Sequence, residues 1–141
     1  DSLEQQAAAL QLADRFVFGG FVKDVPRALS AFDLSVFPSL WEGTPLTGFE
    51  ALAMGKAIVA TDADGLLDIL TDDHDAVIVP KRDAPALAEK IVWAMDHPEE
   101  RARLSANARE TGRRLAREKF VSWERRIQDE IAIVDELTRS A

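Results

Sequence analysis

FPSLWEGTPLTGFEALAMGKAIVAT, residues 37–61, decides the architecture. It reads as the end of a strand, a Gly/Pro loop, a short helix and a second strand. Phe37 closes an apolar run that Pro38 and Ser39 interrupt. Thr44 is a favourable N-cap, and Pro45 suits the first helical position because its missing N–H is not needed there. The spacing predicts a helix from about Pro45 to Met54, ended by Gly55 where a left-handed residue is wanted. Ala57 to Ala60 then resume as an extended run with β-branched residues.

Two carboxylates stand out in this stretch, Glu42 in the loop and Glu50 inside the helix. At about 100° per residue, Leu46, Phe49, Glu50 and Ala53 share one stripe, which places Glu50 on the apolar side. An ionised group is costly there unless something binds it. Either Glu50 lies at the stripe's edge and pairs with a Lys or Arg, or it faces a cleft and accepts hydrogen bonds from a ligand hydroxyl. The helix start at Thr44–Leu46 offers free N–H groups and the positive end of the dipole, a natural seat for phosphate. Glu50 is five residues beyond Pro45, about 7–8 Å along the axis at ~1.5 Å per residue. A nucleoside diphosphate has about that span between its ribose and its distal phosphate.

Working outward, the chain supplies four expected strands that alternate with helices. Residues 2–13 read as the last turns of a helix, with Leu3, Ala7 and Leu10 at helical spacing. Arg15–Phe18 reads as a short strand broken by Gly19-Gly20, and Asp24 as the cap of a helix over about Val25–Ala31. Leu34–Phe37 is the next expected strand. Past the central stretch, Asp62–Gly65 forms a turn, a short helix follows near Leu66–Leu70, and Ala76–Val79 is a strand stopped by Pro80. Asp83 to Asp96 is an expected helix with Leu87, Ile91 and Ala94/Met95 inward. His97-Pro98 breaks it, and a second helix runs from near Glu99 to about Glu118. A last amphipathic helix is expected over about Val121–Leu137, carrying Trp123, Ile127, Ile131 and Val134.

Short apolar strands followed by helices imply parallel β-α units with helices on both faces of the sheet. The fold class is therefore α/β, a three-layer Rossmann-like parallel sheet flanked by helices. In such folds ligands sit beyond the carboxyl ends of the strands. The loops at 19–23, 38–44, 62–65 and 81–83 are those ends, and the central stretch is one of them.

Composition narrows the possibilities. The 141 residues suffice for one domain with a core, read as a single unit over 1–141 with a C-terminal helix near 120–137. With no cysteine, disulfides, thiolate metal sites and Cys nucleophiles are excluded. No apolar run approaches the ~18 residues of a membrane span, and the first residues lack a basic signal-peptide start. A soluble, cytoplasmic protein is the expectation. The net charge of −8 is uneven: residues 1–80 hold four Lys/Arg against thirteen Asp/Glu, and residues 81–141 thirteen against twelve. That is no nucleic-acid footprint. The arginines between 101 and 117 are interleaved with Glu99, Glu100, Glu110 and Glu118, as on a solvated helix face.

Taken together, F-V-F-G-G-F (16–21), D-L-S-V-F-P-S (33–39), E-G-T-P-L-T-G-F-E-A-L-A-M-G (42–55), A-I-V-A-T (57–61) and A-V-I-V-P (76–80) resemble the C-terminal, donor-binding domain of GT-B glycosyltransferases. More narrowly they resemble family four, the retaining family also called glycosyl transferases group one, over about residues 14–135. The hallmark is two glutamates separated by seven residues, met here by Glu42 and Glu50 with P-S before, E-G and E-A at the glutamates, and Gly at the helix end.

The resemblance implies a nucleotide-sugar donor, a UDP-, GDP- or ADP-sugar, and an incomplete half of a GT-B fold. It implies that Glu50 holds the ribose hydroxyls and that Glu42, the catalytic candidate, contacts hydroxyls of the transferred sugar. Backbone N–H groups of Gly43, Thr44 and Leu46, around Pro45, would approach the diphosphate and sugar, with Ser39 preceding that loop. Gly20, Phe21 and Val22 would border the nucleobase. Transfer would be retaining, without an enzyme nucleophile and without a metal, the departing diphosphate guiding the acceptor to the same face. Protein groups would act mainly by stabilising charge on the leaving diphosphate.

The sequence departs from the pattern in several places. The family's diphosphate-neutralising Arg and Lys, the first β-α units and the acceptor domain all precede residue 1. The usual Gly-Gly…Glu becomes Asp64-Gly65…Asp68, and an Asn-Gly turn becomes Asp75-Ala76. The expectation is a fragment of a two-domain enzyme, or a degenerate relative, inactive in transfer by itself. It would meet an N-terminal acceptor domain or a second copy through an exposed sheet edge, and would touch a membrane only peripherally, through the further domain. The alternative is a non-catalytic α/β binding or interaction module; an acidic receiver-type signalling domain fits poorly, because Asp33 precedes its strand.

Other acidic groupings read as turns. Asp62-Ala63-Asp64 could bind a metal but sits in a turn after a strand. Asp72-Asp73-His74-Asp75 reads as a solvated turn rather than a metal site. His97 reads as structural, and Trp93 and Trp123 as core residues. Trp41 either packs on a sugar face or anchors its loop.

Overall fold

The computed structural model describes residues 2–118 and residue 131. Helix α1 spans Ser2–Ala9 and α2 Val25–Ser30; strand β1 is Ser35–Phe37, α3 Leu46–Ala53, β2 Ile58–Thr61 and α4 Asp64–Leu67. Strand β3 is Val77–Val79, followed by α5 Ala84–Asp96 and α6 Pro98–Glu118. The three strands form a parallel sheet in the order β1-β2-β3, with Phe37 level with Ala60 and Thr61 level with Val79. Helices flank it, as the α/β reading requires.

The strand expected at Arg15–Phe18 does not form. Residues 16–22 adopt neither helix nor strand, and Val17 is 94% and Phe21 90% exposed. A strand exists only by pairing its backbone with a neighbour, and among the described residues none lies alongside this one. The first helix also ends sooner than its spacing suggested. Leu3 and Leu10 are exposed and only Ala7 is buried, so the apolar spacing there does not face a core. The helix expected over 121–137, with Trp123, lies outside the described residues except for Ile131.

The core is built around β2, whose four residues are all buried. Leu52, Ile58, Val59, Leu66 and Leu104 are fully buried, joining α3, β2, α4 and α6. The closest helix pair is α3 with α6. A Cβ on Gly112 would lie 2.7 Å from the Ala53 nitrogen and 2.7 Å from the Leu52 carbonyl carbon. Only a residue without a side chain lets the two backbones approach so closely.

Of the two caps expected from sequence, that of Asp24 forms and that of Thr44 does not, and Asp83, read as the first residue of its helix, is instead its N-cap. Asp24 accepts from the Arg27 N–H at 3.1 Å, and Asp83 from the Ala86 N–H at 3.0 Å. His97 ends α5 and stacks on Trp93 at 5.2 Å, while the Arg101 guanidinium donates to the Ala94 and Met95 carbonyls. Trp93 is half-buried rather than core, and Met95, expected inward, is 49% exposed. On α6, Arg103 donates to Glu100 and to Asp73, hydrogen bonds that hold its guanidinium still more firmly in the charged form. That face is thus partly a set of tertiary clamps.

The turn at 71–75 is exposed at Thr71, Asp72, Asp73 and His74, as a solvated turn should be, but Asp75 anchors it. Asp75 is fully buried, accepting from the Thr71 N–H and the Thr111 hydroxyl, each at 2.7 Å. Asp72 accepts from the Ile78 N–H at 2.8 Å. Thr111→Val removes one donor from a buried carboxylate, and an unsatisfied buried acceptor costs about 1–3 kcal/mol. Denaturant unfolding should register that loss as a lower midpoint with an unchanged slope.

Candidate nucleotide-sugar site

The site grows from the end of β1. Beyond Phe37 the chain turns at Pro38 and Ser39, and the Ser39 hydroxyl donates to the Glu42 carboxylate at 2.7 Å. Glu42 is half-buried, and the bond fixes one of its oxygens while the other has no partner among the described residues. From β2, the Thr61 hydroxyl lies 2.5 Å from the Ser39 carbonyl and 3.3 Å from that of Phe37. At the start of α4, the Gly65 N–H donates to the Glu42 carbonyl at 3.2 Å. The turn expected at 62–65 therefore yields two residues to a helix that begins at Asp64, two positions before the expected start.

Helix α3 starts differently from its sequence reading. The N-cap is Pro45, at φ −77 and ψ 79, and no side chain caps the helix. Those angles are near an inverse γ-turn, and the Leu46 N–H donates back to the Thr44 carbonyl at 2.9 Å. Thr44 is exposed and caps nothing. Gly48 and Phe49 both donate to the Pro45 carbonyl, at 2.8 and 3.1 Å. Among the described residues the N–H groups of Gly43, Thr44 and Thr47 have no partner. The Leu46 N–H is thus engaged within the turn, whereas that of Thr47, unsuspected from sequence, is not.

The far end of α3 matches its reading. Gly55 has φ 62, its N–H donates to the Leu52 carbonyl, and the Lys56 N–H reaches the Ala51 carbonyl, both at 2.9 Å. This is the Schellman arrangement. Lys56 also donates to the Phe32 carbonyl at 2.8 Å, tying α3 to the end of α2.

Glu50 does not lie on the core side. The buried residues of α3 are Gly48, Ala51 and Leu52, whereas Leu46 is 63% exposed and Ala53 is exposed. Of the stripe of Leu46, Phe49, Glu50 and Ala53, only Phe49 packs against the core, and Leu46 and Ala53 face outward. Glu50 is half-buried there, and among the described residues its carboxylate has neither a hydrogen bond nor an ion pair. No Lys or Arg among the described residues pairs with it, so of the two readings the unpaired acceptor is the one the described residues fit.

The structure brings Ser39, Glu42, Gly43, Thr44 and Pro45 together with the start of α3. It ties no residue of the 20–22 loop to them by a hydrogen bond among the described residues; Gly20 has φ 60 and Val22 is 41% exposed. Trp41 is 74% exposed, with its indole edge over Gly43, so it does not anchor the loop in the core. Asp62 accepts from the Lys81 N–H at 2.6 Å and Asp64 lies 3.8 Å from the Lys81 ammonium, which engages the D-x-D pair structurally. Among the described residues no three His or acidic side chains converge as a metal would need. Two grooves lie elsewhere, about 680 Å³ beside Ala102, Arg109 and Arg113, and about 230 Å³ beside Asp72, Ile78 and Trp93. Sequence reasoning missed Thr61, whose signal was a hydroxyl at the last position of an otherwise apolar strand.

Comparison with known proteins agrees with the parallel α/β fold. The profile of the family described as glycosyl transferases group 1 matches residues 1–111, starting earlier than the resemblance at residue 14. Lipopolysaccharide core biosynthesis mannosyltransferase LpsB of Rhizobium meliloti is 35% identical over 107 residues, 74% of this chain and 30% of that protein. Anabaena HepE, solved with UDP-glucose, superimposes with a TM-score of 0.75 at 27% identity, over 79% of this chain and 31% of its own. The C-terminal domain of LpcC, a glycosyl transferase group 1 family protein of Francisella tularensis, gives a TM-score of 0.70 at 27% identity, over 78% of this chain and 58% of its own. The chain spans about a third or less of the length of such curated relatives. Among the described residues no helix is long and apolar enough to cross a membrane.

Proposed function

Because this chain belongs to the glycosyl transferases group 1 family, we propose that it is the donor-binding part of a retaining glycosyltransferase and binds a nucleotide-diphosphate sugar. The observation that carries the proposal is the pair of glutamates about α3. Among the described residues Glu50 is a half-buried carboxylate without a partner, and Glu42 is held by Ser39 with its other oxygen unengaged. The unpartnered N–H groups of Gly43, Thr44 and Thr47 lie between them along the chain, at the positive end of the helix dipole.

In this reading Glu50 accepts hydrogen bonds from the two ribose hydroxyls. The diphosphate lies against the α3 start, and Glu42 accepts from a hydroxyl of the transferred sugar. As the glycosidic bond to the diphosphate breaks, negative charge grows on the phosphate oxygens, and the fixed N–H dipoles stabilise it without reorganising. The leaving diphosphate directs the acceptor hydroxyl to the same face, so configuration is retained. Gly20, Phe21 and Val22 border the base. No metal takes part, in keeping with the engagement of Asp62 and Asp64 by Lys81. The acceptor is held by a further domain, which meets this one near the edge of the sheet at β1, and transfer takes place in the cytoplasm.

Calorimetric titration with UDP, GDP and ADP, each with and without a linked sugar, tests the proposal. One base is expected to bind with micromolar affinity, unaffected by EDTA, while the chain by itself shows no transfer to any acceptor. A chain that binds none of the six is an interaction module instead.

A further inference from the structure

We infer that Thr61 and Gly65 are positioning residues for the sugar-contacting carboxylate of Glu42. Neither touches the ligand in the proposed site. The inference rests on the function just proposed and extends it to how that site is held in register with the sheet.

Glu42 lies on a loop, and a loop carboxylate has rotamers to lose. Its side chain is fixed by the Ser39 hydroxyl at 2.7 Å, so its aim is only as good as the placement of Ser39. That placement comes from β2. Thr61 is 4% exposed, and its single hydroxyl proton sits between the Ser39 carbonyl at 2.5 Å and the Phe37 carbonyl at 3.3 Å. Both carbonyls belong to the segment where β1 stops pairing, so the hydroxyl continues the cross-strand tie beyond the last register pair of Phe37 with Ala60. The backbone of Glu42 is fixed separately. The Gly65 N–H donates to its carbonyl at 3.2 Å, and a Cβ at Gly65 would stand 2.7 Å from that oxygen and against the carbonyl of Gly43. Gly65 does not adopt a left-handed backbone angle, so close approach to the loop is the reason for glycine here.

The two ties act on opposite sides of one residue. Thr61 acts through Ser39 on the carboxylate, and Gly65 acts directly on the main chain. Together they hold Glu42 relative to the start of α3, where the diphosphate is proposed to sit. Loosening either should therefore weaken contact with the sugar more than contact with the nucleotide.

The experiment compares the whole chain with its Thr61→Val, Thr61→Ser and Gly65→Ala variants in two readouts. The first is the ratio of affinities for the bound nucleoside diphosphate and its sugar conjugate, by calorimetry. Thr61→Val is expected to lower relative affinity for the conjugate about fivefold, with affinity for the nucleoside diphosphate changed less than twofold. Thr61→Ser, which keeps the hydroxyl, should match the wild type, and Gly65→Ala should shift the ratio in the same direction as Thr61→Val. The second readout needs no ligand: amide hydrogen exchange over residues 40–47 should quicken severalfold in Thr61→Val and not in Thr61→Ser. An unchanged ratio in Thr61→Val, or equal losses for nucleotide and conjugate, overturns the inference while leaving the proposed function standing. A wild-type chain that binds no conjugate overturns the proposed function and the positioning role with it, whatever exchange shows.

Discussion

Glu50→Ala should weaken binding of the nucleotide sugar about 100-fold and leave the melting temperature unchanged or slightly higher. Two hydrogen bonds from ribose hydroxyls to an ionised acceptor would be lost, each worth about 1.5–3 kcal/mol. With partial compensation by water, a net loss of about 3 kcal/mol corresponds to about two decades in Kd. Stability behaves oppositely because Glu50 has no partner to lose among the described residues and stands half-buried on the outer flank of α3. Removing an uncompensated carboxylate from such a place relieves desolvation. Glu50→Gln keeps one acceptor oxygen and should lose about tenfold, by the weaker bonds of a neutral amide. Titration of the three proteins, with thermal melts on the same samples, checks both halves. A variant that melts well below the wild type and binds normally would identify Glu50 as a structural residue.

The second large effect concerns the seam between α3 and α6. Gly112→Ala places a methyl group 2.7 Å from the Ala53 nitrogen and the Leu52 carbonyl carbon, distances that no Cβ tolerates. Backbone atoms cannot step aside as a flexible side chain can, so the helices must separate. Separation opens the core where Leu52, Ala108 and Leu115 pack. Overpacking of this kind costs about 1–3 kcal/mol, and the backbone clash puts this case at about 3. For a domain of this size that is a fall of about 10 °C in Tm. Helix α3 also carries Glu50, so residual folded protein should bind the nucleotide sugar more weakly. By contrast, a Cβ at Gly55 would meet mainly the Arg109 side chain, the Nε at 2.6 Å, which can swing away; strain there comes from its positive φ of 62. Thermal melts of the two alanine variants should rank Gly112→Ala as the more damaging.

Helix α3 shows why its pattern did not fix its face. Leu46, Gly48, Phe49, Ala51, Leu52, Ala53 and Met54 leave almost no polar side, so a period of 3.6 has no unique phase. Two stripes were available, and contact with α6 through Gly112 chose the one with Gly48, Ala51 and Leu52. Glu50 went to the flank as a result. Asp75 departs from its reading for a related reason: polarity in sequence suggests water, which holds for the exposed Asp72 and Asp73, whereas Asp75 found two donors inside the fold. The Arg15–Phe18 stretch had strand composition and lacked a strand beside it.

By itself the sequence determined the elements that depend on neighbours a few residues away. The Asp24 cap, the left-handed Gly55, the Pro80 stop and the parallel β-α order all follow from local hydrogen bonding and steric preference. It also determined the family, because Glu42 and Glu50 recur with their flanking Pro-Ser, Glu-Gly and Glu-Ala pairs. Only the tertiary structure decided which flank of α3 is buried, that Thr61 and Gly65 grip the Glu42 loop, and which amides at the helix start are unengaged. Those outcomes rest on contacts between segments distant in the chain, where close packing admits one arrangement and a linear pattern admits several.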